Sequence, residues 1–190
     1  MQDGVAGDDT LNPGLPAQPA AKLRPAAVLV PLVERGAGLT VLLTRRTDHL
    51  TQHAGQIAFP GGAREPEDAD DETAALREAA EEIGLSPDRV RLIGRLGPYV
   101  TRTGYRITPV VGLVRPPFVL TPDPHEVAEV FEVPLDFLVD PGSLQMHSYE
   151  LEGHRRYFYA LPWQDRYIWG ATAGMLVNLA RRLAPAGAPP

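Results

Sequence analysis

Cysteine is absent from the chain, so neither disulfide staples nor thiolate metal ligands can contribute to its fold or chemistry. Absent too is any apolar run of bilayer length, and no charged-then-apolar leader opens the sequence. Membrane insertion and secretion are therefore not expected, and a cytoplasmic location is. Positive charge is in the minority: 18 Lys and Arg against 24 Asp and Glu give a net charge of −6. A general nucleic-acid binder would carry the opposite balance, because phosphate backbones are held by clustered cations. Neither a membrane nor a nucleic acid is an expected partner; oligomeric state is not legible.

What the chain does have is apolar content, 44% of 190 residues, enough to bury a full core as one domain. Residues 1–22 are rich in Gly, Ala, Pro and Asp and are expected to form a disordered tail, as are 185–190; 23–184 is the expected single domain. Within it, 26–33 and 39–44 read as strands joined by a Gly-containing turn, and 58–59 as a short strand before a glycine pair. Residues 71–83 have helical periodicity; 90–96, 106–114 and 127–133 are strand candidates, and 169–183 is a terminal amphipathic helix. Strands flanking single helices suggest an α/β fold with a mixed sheet sandwiched between helices.

The predicted helix 71–83 carries Glu78, Glu81 and Glu82 at i, i+3 and i+4, which places three carboxylates on one face. Like charges so close cost a few tenths of a kcal/mol per pair, about 0.2–0.5, unless a cation sits among them. Arg77 can screen some of them; a divalent ion can serve all three. Oxygen ligands of this kind suit Mg2+, Mn2+ or Ca2+, and Mg2+ commonly joins carboxylates to substrate phosphates. Leu76, Ala79, Ala80 and Ile83 form the opposite, apolar face, and Gly84 is placed to end the helix.

These residues resemble the Nudix box, Gly-x5-Glu-x7-Arg-Glu-U-x-Glu-Glu-x-Gly-U, where U is a bulky aliphatic residue. Arg77, Glu78, Glu81, Glu82, Gly84 and Leu85 match its second half, with the small Ala79 at one U. In the first half Gly62 lies one residue farther from Arg77 than the general box allows, and Asp68 or Glu67 falls near the usual Glu. Upstream, Leu42-Leu43-Thr44-Arg45-Arg46-Thr47 and Gly55 to Phe59-Pro60-Gly61-Gly62 are similar to the extended signature of the coenzyme A pyrophosphatase subgroup, in which the expanded box is also usual. Thr47 replaces Ser or Ala, and Thr51 stands where that signature has Arg. The segment from Glu126 through Glu129 to Pro134, and Tyr167 to Thr172, resemble later family segments.

The resemblance implies the Nudix α/β/α fold and a Mg2+- or Mn2+-dependent cleavage of coenzyme A, or its derivatives, into 3′,5′-ADP and 4′-phosphopantetheine. It implies Glu78 and Glu82 as metal ligands, Glu81 as a third, and the Gly62 carbonyl as a further donor. Arg77 is expected to orient a glutamate. Glu81, Glu126 and Glu129 compete as general base, with Glu126 slightly favoured. Arg45, Arg46 and Arg102 are candidates for substrate phosphates, and Gly55, Phe59 and Gly61 for the loop that meets substrate. His49, His53, His125, His147 and His154 share no metal spacing, and Tyr105, Tyr157, Tyr159, Trp163 and Trp169 read as core more readily than as a base-stacking platform. Two other functions are consistent with the family: a pyrophosphatase for ADP-ribose, dinucleotides or other nucleoside diphosphate derivatives, and a non-catalytic nucleotide-binding sensor. The intact Arg77, Glu78, Glu81 and Glu82 speak against the sensor.

Overall fold

The computed structural model describes residues 6–14, 19–50 and 53–184. In chain order the elements are β1 (Ala6–Gly7), α1 (Asp8–Leu11), β2 (Arg24–Arg35), β3 (Gly38–Arg46), β4 (Ile57–Ala58), β5 (Gly61–Ala63), α2 (Asp71–Ile83), β6 (Val90–Arg95), β7 (Tyr99–Val100), β8 (Tyr105–Val114), β9 (Val127–Pro134), α3 (Leu135–Val139), β10 (Gln145–Leu151), β11 (His154–Trp163), β12 (Arg166–Trp169) and α4 (Gly170–Leu183). β1 to β9 form a mixed sheet in which β2 runs parallel to β8 and antiparallel to β3. β10, β11 and β12 form a separate antiparallel sheet.

β2 is apolar on both faces, as a strand covered on both sides must be. Val28, Val30 and Leu32 face one core with Leu43, Leu161, Ile168 and Leu176; Ala27, Leu29 and Val33 face another with Ala75, Ala79 and Ile83. The first core lies under α4 and the small sheet, the second under α2. The mixed sheet between helices expected from the sequence is thus present.

The feature that positions the site is a split in the sheet. β2 and β3 pair only near their hairpin, Leu32–Arg35 with Gly38–Val41. Beyond it they part, because the outer edge of β2 is held by β8 and that of β3 by β9. The gap is filled by β4, paired to Thr44 and Arg45 of β3, and by β5, paired to Ala26–Val28 of β2. Gly61 sits in this wedge at φ +156, where a Cβ would lie 2.5 Å from the Ala27 carbonyl oxygen. Only glycine fits so close a backbone approach.

Two expectations need correction. The N-terminal segment was expected to be a disordered or lightly tethered tail, but over residues 6–12 it is ordered and fastened: β1 pairs with β7, Asp8 accepts hydrogen bonds from the Tyr99 hydroxyl (2.8 Å) and the Arg102 N–H (2.8 Å), and Asn12 exchanges hydrogen bonds with the Tyr157 backbone. Short polar side chains that bond backbone groups anchor a stretch that composition alone leaves loose. The small sheet was not anticipated at all, since β10 is almost wholly exposed and lacks the alternation that marks a half-buried strand.

Candidate active site

α2 is capped at its start by Asp70, whose side chain accepts from the Thr73 N–H (2.8 Å), and at its end by Gly84, left-handed at φ 67. Both are ordinary helix punctuation. The carbonyls left over at its C-terminus do structural work: Ile83 O accepts from Thr121 N–H (2.8 Å) and Glu82 O from Asp123 N–H (2.9 Å). These bonds draw the loop before β9 across the helix end and bring Glu126 beside Glu82. Thr47, buried and directly after β3, clamps the same loop: its N–H donates to Glu126 O (3.0 Å) and its hydroxyl to His125 O (3.0 Å). The threonine that departs from the family signature therefore secures the segment carrying a candidate base.

Helix 71–83 was expected to turn all its acids outward. Instead Glu82 is 5% exposed and lies among Ala75, Ala79 and Ile83 on the buried side, because the sheet split leaves it a polar partner: Gly61 N–H donates to its carboxylate (3.1 Å). Burial pushes the Glu82 carboxyl up to about 7, with the Gly61 N–H and Arg46 opposing and Glu78 and Glu126 adding to the rise. Glu78, half-buried, is also pushed up, mainly by desolvation. Its carboxylate lies against Gly62, where a Cβ would come within 2.6 Å of it.

Arg77 organises the rest. It forms a bidentate pair with Asp68 (Nε to Oδ1 3.1 Å, Nη2 to Oδ2 3.0 Å) and also reaches Glu81 (2.8 Å), Glu78 (3.1 Å) and the Ala63 carbonyl (3.3 Å). Asp68, buried and further held by the Glu65 N–H (2.8 Å), has its carboxyl well below the usual range because of the Arg77 guanidinium. Of the two acids near the box position, Asp68 is thus the one that locks Arg77, while Glu67 is exposed.

The remaining candidates separate. Arg46 stands 3.5 Å from Glu82 and 3.8 Å from Glu126. Glu81 is 60% exposed in its side chain and drawn to Arg77. Glu129 is taken up elsewhere, between Arg45 (3.5 Å) and Arg166 on the side of the sheet where Phe131 packs. Arg45 faces that side with it, away from Arg46. Gly55, at φ +68, shapes its loop, and a Cβ there would lie 2.9 Å from Asp48. Thr51 lies outside the described residues. Among the described residues no three His, Asp or Glu side chains are gathered into a ready ligand set; Glu78, Glu82 and Glu126 instead repel one another around Gly62.

Beside this cluster opens a cleft of about 400 Å³. Arg46, Gly61 and Gly62 form its rim on the acidic side; Phe59, itself 2% exposed, forms part of an apolar wall; Tyr105, Tyr157 and Trp169 line it. Aromatic residues read as core are thus partly cleft lining, with Tyr157 and Trp169 exposed. Arg102 and Arg156 also line it. Arg156 escaped notice in the sequence because nothing marked β11 as a strand.

Residues 22–160 match the NUDIX domain family model. The chain belongs to the Nudix hydrolase family. It is 42% identical to an uncharacterized Nudix hydrolase, NudL, of Photorhabdus laumondii over 84% of this chain and 85% of that one, and 39% identical to the NudL of Yersinia pestis over 87% and 82%. The fold is similar to a Nudix hydrolase from M. smegmatis, RenU (TM-score 0.51, 28% identity, 60% of this chain and 71% of that one). It also resembles the Nudix domain of Shewanella oneidensis NrtR complexed with ADP-ribose (TM-score 0.52, 17% identity, 87% and 92%). Nudix hydrolases are pyrophosphatase-type enzymes that generally use divalent metal ions. The residues here fit such an ion. A buried carboxylate at Glu82, a half-buried one at Glu78 and the side-chain-free backbone of Gly62 leave an excess of negative charge that Arg46 beside Glu82 and Arg77, which Glu78 shares with Asp68 and Glu81, offset only in part.

Proposed function

We propose that this Nudix hydrolase cleaves the diphosphate of coenzyme A, or of its derivatives, to 3′,5′-ADP and 4′-phosphopantetheine with Mg2+ or Mn2+. The observation that carries this reading is that the upstream signature and the box meet at one place: Arg46, Phe59, Gly61 and Gly62 wall the cleft that opens beside Glu78, Glu82 and Glu126.

Glu78, Glu82 and Gly62 would hold the metal, which supplies charge neutralisation on phosphoryl oxygens and a lowered pKa for the attacking water. Arg77, fixed by Asp68, keeps Glu78 and Glu81 in place. Arg46 offers its guanidinium to the diphosphate as negative charge shifts to the leaving oxygen. Glu126 takes the proton of the attacking water; the new P–O bond forms as the bond to the bridging oxygen breaks. Glu126 is preferred over Glu81, which Arg77 already engages, and over Glu129, which is committed to Arg45 and Arg166.

ADP-ribose or a dinucleotide is the second reading, favoured by Thr51 where the signature has Arg. The two separate by kcat/KM for coenzyme A, ADP-ribose and dinucleotides with each metal, with Glu78→Gln as the blank. A clear preference for coenzyme A supports the proposal; preference for any of the others removes it.

A further inference from the structure

Arg156, near the start of β11, is 7% exposed, and its Nε is buried without a hydrogen-bond partner. The residue belongs to the lining of the cleft. A buried polar group left unpaired is uncommon and costly, and a buried charge more so. A lysine could relieve that cost by losing its proton; an arginine cannot. Arg166, whose Nε is likewise unpartnered, differs because its other nitrogens meet Glu129 and Asp165 and its plane lies 4.6 Å over Phe131.

The acids of the N-terminal segment do not supply the missing partner. Asp9 feels its field, since Arg156 opposes the rise that burial and Asp8 impose on the Asp9 carboxyl, yet the two form no ion pair. Asp8 is committed to the Tyr99 hydroxyl and the Arg102 N–H. The guanidinium is therefore held in a cavity by a strand whose backbone Asn12 pins on the neighbouring residue, Tyr157, and its donor fork is left for something that enters the cleft.

We propose that Arg156 anchors a phosphate monoester that the substrate carries in addition to the diphosphate being cleaved. This rests on the cleft being the substrate site of the coenzyme A reading. A planar fork of donors matches phosphate oxygens in a bidentate manner, and a dianion compensates a buried guanidinium better than a neutral sugar hydroxyl does. The role is one of specificity: Arg156 distinguishes a nucleotide with a second phosphate from one without it, while Arg46 at the other rim serves the scissile diphosphate.

The test is calorimetric binding of adenosine 3′,5′-bisphosphate and of AMP to the full chain with Mg2+, for the wild type, Arg156→Gln and Arg156→Lys. The wild type should bind the bisphosphate at least about tenfold more tightly, the scale of a hydrogen-bonded charge pair. In Arg156→Gln the preference should vanish with AMP affinity unchanged, and in Arg156→Lys it should shrink. A preference retained in Arg156→Gln overturns the anchor and leaves the coenzyme A reading standing. No preference in the wild type also overturns it, and the coenzyme A reading is then judged by the kcat/KM comparison alone. Should the Gln variant not fold, Arg156→Lys decides: a reduced preference supports the anchor and an unchanged one overturns it.

Discussion

Glu126 and Glu129 are close in sequence and chemically identical, yet they face different surroundings: the first Arg46 and the acids of α2, the second Arg45 and Arg166. Glu126→Gln is expected to lower kcat about 100-fold or more, the usual yield of a positioned base, with KM little changed. Glu129→Gln should leave kcat within about twofold and lower Tm, because Arg166 loses a partner worth about 1–3 kcal/mol. Equal losses of kcat in the two variants would remove Glu126 from its assigned role. Sequence alone left these acids in competition, since spacing does not reveal which face of the sheet a residue after a loop will take. It likewise could not choose between Asp68 and Glu67; the choice is made by the Glu65 N–H and Arg77 converging on Asp68. Glu82 offers a second test at this scale. Its carboxyl rises from 4.5 to about 7 in the metal-free protein, so the folded chain keeps a proton there that the unfolded chain sheds. Metal-free stability therefore falls as pH rises through that window. A divalent cation favours the ionised form, so the gain in Tm on adding Mg2+ should grow from the acid to the neutral end. A gain independent of pH would contradict the placement of Glu82 at the metal.

At the scale of elements, the wedge of β4 and β5 between β2 and β3 makes two adjacent glycines fail differently. Gly61→Ala sets a methyl 2.5 Å from the Ala27 carbonyl oxygen and 2.6 Å from the Val28 Cα. Backbone cannot step aside cheaply, so the cost is expected at about 1–3 kcal/mol or more, read as a drop in Tm. Gly62→Ala meets the Glu78 carboxylate at 2.6 Å, the end of a flexible side chain, so Tm should hold while activity and Mg2+ affinity fall. Thermal melts and metal titrations of both variants check this; a Gly62→Ala protein with full Mg2+ affinity would place the metal elsewhere. Helix α2 was legible to the residue, because its apolar spacing, its acids and its closing glycine all agree, and β2 and β3 were legible from their apolar runs. The split between them was not, since it arises from competition between β8, β9 and the inserted strands, which are distant in sequence.

At the scale of the whole molecule, the cleft draws together regions far apart in the sequence, among them the signature loop, the N-terminal segment and the small sheet of β10 to β12. The acids proposed for the chemistry stand on α2 and on the loop before β9, beside the first of these regions, and those of α2 with their glycines could be found from spacing. The substrate selection proposed for Arg156 belongs to the small sheet, whose exposed strands carry no periodic signal, and there the sequence was silent. No helix of the described residues is long and apolar enough to cross a membrane. The central claim is that this cleft presents coenzyme A, rather than another nucleoside diphosphate derivative, to Glu78, Glu82 and Glu126. Mass spectrometry of products from an equimolar mixture of coenzyme A, ADP-ribose and dinucleotides, incubated with the protein and Mg2+ or Mn2+, tests it most directly. Dominance of 3′,5′-ADP and 4′-phosphopantetheine is the expected result; dominance of AMP with ribose 5-phosphate, or of nucleotides released from dinucleotides, would contradict it.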